Sequence, residues 1–232
     1  MTQIYCFSGS GHSMAVAKHF ATALDVPVTE ITANTQGRAE LALVIFPVYC
    51  QNVPPIVKAF LRSLDARHAV LIATYGGFSF GNVLYEAAHA TNATVIAAAA
   101  APTGHSFLLE GTDFDRDALS PILDRIRDPR PVSIPRASKH PFASFFPAWR
   151  SRVGLKMTKT DACTDCGLCT ASCPMGAMQD GIPSNRCMRC LRCVNACPQS
   201  ALQIHPRGAL KSYLAQPRKP RTVLYLNERR FI

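Results

Sequence analysis

The sequence predicts an α/β protein: a doubly wound five-stranded parallel sheet, followed by a small cysteine-rich module. Three observations carry this reading. Short apolar runs alternate with helix-periodic segments up to about residue 128. Eight of the ten cysteines then fall between Cys163 and Cys197. Between the two regions, residues 129–160 lose their periodicity, broken by Pro129, Pro131, Pro135, Pro141 and Pro147 among frequent basic residues.

In chain order, Gln3 to Phe7 is a short apolar strand and Met14 to Leu24 follows with helical spacing. Pro27 to Ile31 is the second strand. Leu41 to Phe46 is continuously apolar, as a strand covered on both faces should be. Asn52 to Leu64 is helical, with Pro54 and Pro55 in the first turn, where a missing amide is tolerated. Ala69 to Thr74 is strand, Asn82 to Ala90 helix and Ala93 to Ala100 strand. Asp113 to Ile126 is the last helix, with Asp113 as its N-cap. The linker is expected to hold a short helix whose Phe142, Phe145, Phe146 and Trp149 pack the two regions together. The expected domains are 1–128, a linker 129–160, the cysteine module 161–206 and a basic extension 207–232. That extension sets Lys211, Arg218, Lys219, Arg221, Arg229 and Arg230 against Glu228.

The cysteines form an internal repeat. Cys163-x2-Cys166-x2-Cys169-x3-Cys173-Pro174 recurs as Cys187-x2-Cys190-x2-Cys193-x3-Cys197-Pro198, at an offset of 24 residues. Structural zinc takes four ligands with a longer gap between its C-x2-C pairs. The tandem run instead suits two [4Fe–4S] clusters, in which the cysteine before proline ligates the other cluster. One cluster would use Cys163, Cys166, Cys169 and Cys197; the second would use Cys187, Cys190, Cys193 and Cys173. Asp161 to Ile204 resembles the bacterial two-cluster ferredoxins, with all eight ligands and both prolines in place. That resemblance implies a small α+β domain. Arg186, Arg189 and Arg192 sit among the second run, whereas the first has Asp165. Positive charge stabilises a reduced cluster, so the second cluster is expected to have the higher potential. The competing reading is that these arginines dock an acidic redox partner. Cys6 reads as a small buried hydrophobe.

In an open parallel sheet, ligands bind outside the carboxyl ends of the strands. Three loops lie there. Ser8-Gly9-Ser10-Gly11-His12-Ser13 follows the first strand and leads into a helix, so its backbone amides can wrap a phosphate. Pro47, Val48, Tyr49, Cys50, Gln51 and Asn52 follow the third strand, and Tyr75, Gly76 and Gly77 the fourth. The first loop is neither a Walker A loop nor a G-x-G-x-x-G fingerprint, and no nicotinamide-binding signature is present. Together the loops resemble the flavodoxin fold over residues 3 to about 128. The resemblance implies a phosphate loop and two loops that sandwich FMN.

Taken whole, the chain resembles the flavodoxin–ferredoxin fusion proteins found mainly in anaerobic microbes. The pieces SGSGHS, PVYCQNVPP, ATYGG and the double cysteine run occur in that order. His12 stands where that family usually has asparagine, and the basic tail is longer than the family needs. The resemblance implies FMN, two [4Fe–4S] clusters and electron transfer with external redox proteins. Two other readings stand beside it: an FMN-dependent reductase of a small acceptor, and a flavin-free iron–sulfur regulatory protein. His12, His68, His89 and His105 are scattered and read as surface or packing residues rather than catalysts.

Composition sets the outer limits. With 48% hydrophobic and 17% charged residues, the 232-residue chain is globular. No apolar run reaches the roughly 18 residues that would span a bilayer. MTQIYCFSGSGHS lacks the basic start and apolar segment of a secretory leader, so a cytoplasmic location is expected. The formal charge of +10 suits nucleic acid or anionic membrane. Two clusters at roughly −2 each and a flavin phosphate offset much of it, and neither partner is expected.

Overall fold

The apolar run of residues 41–46 lies inside a six-stranded sheet. The computed structural model describes residues 1–145 and 147–227; Phe146, Glu228, Arg229 and Arg230 lie outside the described residues. Strands β1 (Thr2–Cys6), β2 (Val28–Glu30), β3 (Arg38–Pro47), β4 (Asp65–Tyr75) and β5 (Thr94–Pro102) are parallel. Their spatial order is β2-β1-β3-β4-β5. This is the doubly wound flavodoxin-like order, with its switch point between β1 and β3.

Alternation along β3 explains its composition. Ala42, Val44 and Phe46 face one layer, while Leu43 and Ile45 face the other. Helices α2 (Pro55–Ser63) and α3 (Val83–Ala88) cover the first layer with Val57, Phe60, Leu61 and Leu84. Helices α1 (His12–Leu24) and α4 (Pro121–Arg127) cover the second with Val16, Phe20 and Ile122. Both faces are dry, so a polar residue on either would lose its hydration. The helix expected from Asp113 is shorter. Asp117–Leu119 make a 3-10 turn and the α-helix begins at Pro121. Proline has no amide to donate backwards, so it opens a helix and cannot continue one.

The sheet has one strand more than expected. The basic tail turns back, and β10 (Val223–Tyr225) pairs antiparallel with β5, Val223 opposite Ala100 and Tyr225 opposite Ala98. Val223 and Leu224 are buried. This strand covers the edge that alanine-rich β5 would otherwise leave open.

The linker is bound along its length. Val132 N donates to Val95 O at 2.9 Å and Ile134 is buried against the α2–α3 layer. Lys139 Nζ donates to Asn52 Oδ1 at 2.6 Å and pairs with Glu86 Oε1 at 2.7 Å. Helix α5 spans Pro147–Gly154. Phe145 and Trp149, expected to pack the two regions together, are 59% and 56% exposed.

The cysteine module starts earlier than expected, within the stretch read as linker. Strand β6 (Leu155–Lys159) pairs antiparallel with β9 (Leu202–Pro206). Between them lie α6 (Leu168–Ala171), the hairpin β7 (Met178–Gln179) and β8 (Ile182–Pro183), and α7 (Arg192–Asn195). Helix α8 (Gly208–Leu214) follows and packs on α5, with Leu210 against Gly154. Among the described residues no helix is long and apolar enough to cross a membrane.

Candidate functional site

A cleft of about 850 Å³ opens at the carboxyl ends of the parallel strands. Ser8, Gly9, Ser10, His12 and Ser13 line it after β1, Pro47 to Gln51 after β3, and Tyr75 and Gly76 after β4. Three expected residues are not on its wall. Gly11 instead caps α1, in the left-handed region at φ 94°. Asn52 turns away, its Nδ2 donating to Cys50 O at 2.7 Å and to Ala143 O at 2.8 Å. Gly77, also left-handed at φ 81°, passes beneath Arg218 and Pro220.

A fourth loop completes the rim. Thr103 to Phe107 follow β5, and Ser106 Oγ hydrogen-bonds Ser10 Oγ at 2.6 Å. The sequence carried a signal for it, since Gly104, His105 and Ser106 stand directly after a strand end. Trp149 and Val153 of α5 and Leu210 and Tyr213 of α8 form the remaining wall. No local pattern in the sequence marks these four.

The end of the cleft at α1 fits an anion. The N-cap of α1, Gly11, has no side chain to cap the helix, and His12 Nδ1 is buried without a hydrogen-bond partner. Amides left open in a first helical turn can take a negative group. Ser8 Oγ accepts from Met14 N at 3.3 Å, and Ser13 Oγ bonds Thr74 Oγ1 at 2.8 Å, so the loop is held from behind. Burial keeps His12 below the usual imidazole range against the opposing pull of Glu110. Burial likewise pushes His105 down to about 4, with Arg218 adding to it and Glu110 opposing. Both rings are therefore neutral near pH 7. Tyr49 is held well above the usual phenol range by burial. The Tyr75 hydroxyl is committed to the tail: it donates to Arg221 O at 2.7 Å and accepts from Arg221 N at 3.0 Å.

Two smaller cavities lie in the cysteine module. One brings together Cys163, Cys166, Cys169 and Cys197; the other brings together Cys173, Cys187, Cys190 and Cys193. These are the two ligand sets that the spacing predicts. The backbone repeats with the sequence. Asp165 and Arg189 are left-handed at φ 52° and 59°, and so are Gly167 and Leu191 at 73° and 64°. Ala177 N donates to Cys173 Sγ at 3.2 Å, and its equivalent Ala201 N to Cys197 Sγ at 3.3 Å. Such amide bonds favour thiolate over thiol, and Cys197 is held below the usual thiol range chiefly by the Ala201 amide.

The donor set suits clusters better than single ions. Among the described residues no three His, Cys, Asp or Glu side chains converge tightly enough to hold one metal ion. Cysteines spread around a cavity match a cluster, whose irons carry one thiolate each. Arg189 supplies a second test. It is 8% exposed and lines the second cavity; its Nε donates to Leu155 O at 3.0 Å, and its Nη1 is buried with no partner. A buried cation with a free donor needs an anion, and a thiolate-bound cluster is one.

The two halves meet at Ser8 and Gly9. Arg192 donates to Ser8 O from Nε at 3.1 Å and from Nη2 at 2.6 Å, pairs with Glu30, and lies over the Phe7 ring at 5.6 Å. A methyl group on Gly9 would overlap the Cys190 carbonyl oxygen and come within 2.7 Å of Tyr49 Oη. Met188 lines both the cleft and the second cysteine cavity. Arg189 and Arg192 are thus engaged inside the chain, which leaves only Arg186 of the expected docking arginines exposed, its Nη2 on Gly176 O at 2.9 Å.

Residues 156–198 match the family of 4Fe-4S dicluster domains. No curated protein gave a match. Among solved structures, the chain is similar to a protein of Bacteroides uniformis ATCC 8492, named provisionally as a flavoprotein, at 16% identity and a TM-score of 0.40 over 53% of this chain and 97% of that one. A similarly named protein of Bacteroides eggerthii DSM 20697 is 15% identical with a TM-score of 0.37, over 54% of this chain and 97% of that one. The C-terminal part of the chain, residues 156–198, is an iron–sulfur cluster domain.

Proposed function

We propose that the chain is an electron-transfer iron–sulfur flavoprotein of the flavodoxin–ferredoxin fusion kind, with FMN in the cleft and two [4Fe–4S] clusters in the cysteine cavities. The observation that carries this is Met188, which borders the cleft on one side and the second cysteine cavity on the other. FMN supplies one- or two-electron chemistry and each cluster one-electron chemistry, so the pair lets the chain interconvert the two.

The chain's own residues bind and orient. Ser8 to Ser13 and the start of α1 would take the phosphate, with His12 Nδ1 a donor or acceptor towards it. Tyr49 and Gly76 would flank the ring, and the Thr103–Phe107 loop would close over it. Arg192, fastened to Ser8 O, fixes the spacing between the phosphate loop and the second cysteine run. The domain division proposed is a flavin unit of 1–128, to whose sheet β10 adds a strand, a bound linker 129–154, a cluster module that opens with β6 and runs over 155–206, and the tail 207–232. None of the ten cysteines is in a disulfide, and the location proposed with this reading is a reducing, cytoplasmic one.

Purification without oxygen, followed by iron, sulfide and flavin analysis, tests the proposal. About eight irons and one FMN per chain are expected. Eight irons with no flavin, even after reconstitution, would reject the flavin half.

One observation favours a second reading, a reductase of a small acceptor. The wall formed by Trp149, Val153, Leu210 and Tyr213 belongs to no flavin loop and leaves apolar space beside the ring site. Steady turnover of quinones or nitro compounds, abolished by Trp149→Arg, would support it.

A further inference from the structure

We propose that the surface around Cys166 is the docking face for an external redox protein, one whose contact patch is apolar at its centre and ringed with lysine and arginine. The inference rests on the electron-transfer reading and adds where the partner sits and what its surface looks like.

The two cysteine cavities differ in exposure. Cys187, Cys190 and Cys193 are buried, and their cavity shares Met188 with the cleft. Cys166 is exposed, Cys163, Cys169 and Cys197 are partly so, and their cavity shares no lining residue with the cleft. A partner too large to enter the cleft can approach the first set of ligands most closely.

Charge is segregated on the same face. In a chain of net charge +10, residues 160–185 hold Asp161, Asp165 and Asp180 and no lysine or arginine. All three aspartates are exposed, and Asp165 and Asp180 line the first cavity. Lys159, on the flank, pairs with Asp165 at 2.7 Å. The four thiolates of this cavity add further negative charge when ligated. Two large apolar side chains are exposed here: Leu168 on α6, which lines the cavity, at 48%, and Ile182 on β8, next in sequence to the lining Gly181, at 69%. An apolar centre with a charged rim is the usual anatomy of a specific, transient interface. A basic partner fits this face, whereas an acidic partner would meet repulsion here and only Arg186 on the arginine side.

The probe is cytochrome c, a basic protein with an exposed haem edge. Its binding to the chain with full iron content is followed by calorimetric titration, with the acidic protein cytochrome b5 as counter-probe. At low salt, Asp161→Asn with Asp180→Asn is expected to weaken cytochrome c binding about tenfold, the difference fading as salt screens the charges. Ile182→Gln is expected to weaken it at both low and high salt. Unchanged iron content and visible absorption certify that the variants fold. Tighter binding of cytochrome b5, no binding of cytochrome c, or an affinity indifferent to the aspartates would overturn the proposal. Flavin content is measured separately, so loss of the flavin reading and loss of the docking face give different results.

Discussion

Asp165 and Arg189 occupy the same position in the two cysteine runs, with the same left-handed backbone, yet one is an exposed carboxylate and the other a buried guanidinium. The repeat keeps the loop and reverses the charge. Asp165 is held below the usual carboxylate range by Lys159 and stays ionised in water. Arg189 Nη1 lies buried beside the second cavity with no protein partner.

Arg189→Gln is therefore expected to lower the midpoint potential of the second cluster by ~50 mV, the equivalent of about 1 kcal/mol of lost charge stabilisation. Redox titration followed by EPR resolves the two centres. Arg189→Lys keeps the charge and should recover most of the shift. Equal movement of both centres, or of neither, would remove the tuning role.

The ligand sets give a sharper test. Cys173 lies in the first cysteine run but lines the second cavity. Cys173→Ser is expected to damage the cluster of Cys187, Cys190 and Cys193 and to spare most of the other, and Cys197→Ser to do the reverse. EPR spectra of the two variants should differ in which signal persists. Loss of the same-run cluster in each would refute the crossed ligation.

Gly9→Ala tests the junction between the modules. Its φ needs no glycine, so the constraint is space: a methyl group meets the Cys190 carbonyl oxygen and Tyr49 Oη. Backbone cannot yield as a flexible side chain does, and overpacking of this kind costs about 1–3 kcal/mol. The expected outcome is a lower unfolding midpoint together with slower electron exchange between flavin and clusters. Arg192→Gln, which loosens the same junction without overpacking it, should slow exchange with a smaller loss of stability.

How much of this was legible in the sequence depended on how local each signal was. The five parallel strands were, because β3 and β5 are buried on both faces and read as apolar runs. The two groupings of cysteines were, because the spacing of each run sets which thiols face one cavity. Three of the four cleft loops were, because small residues follow strand ends. The sixth strand was not: Val223-Leu224-Tyr225 is three residues long and follows Arg218, Lys219 and Arg221, so its charge outweighed its pattern. The α5 and α8 wall depends on packing between segments some 60 residues apart. Gly11, Asn52 and Gly77 looked like ligand residues because turns need the same residue types as binding loops. Arg189 and Arg192 looked like docking residues because sequence shows charge and not burial.

Acid should loosen the cleft. His105 has its folded pKa pushed down to about 4 from 6.5, mainly by burial and then by Arg218, while Glu110 opposes. Its stabilising effect is complete above pH 6.5 and is lost as pH falls from there towards 4. Between pH 7.5 and 5.5 the wild type should lose about 1 kcal/mol more than His105→Gln in denaturant titrations. His12, shifted in the same direction, adds to the loss in both proteins. A pH profile identical in the two would show that His105 does not titrate there.

The last part of the tail, residues 218–225, should control the cleft proposed for FMN although none of these residues lines it. The Tyr75 hydroxyl both donates to and accepts from Arg221, Lys219 N donates to Gly77 O at 3.1 Å, and Arg218 makes two 2.6 Å bonds to Glu110 while lying over Phe78. These contacts fix the loop after β4, whose Tyr75 and Gly76 line the cleft. Tyr75→Phe removes the hydroxyl and both of its bonds to Arg221, at a cost of about 1 kcal/mol, since water can reach the exposed Arg221. Amide exchange at 223–225 should quicken, since β10 is held to β5 by only a short ladder. FMN affinity should fall about threefold or more, because the loop must now be ordered by the ligand itself. Iron content should stay the same, as neither cysteine cavity contains any of these residues. Faster exchange with unaltered FMN affinity would mean that the tail secures the sheet edge and leaves the cleft unaffected.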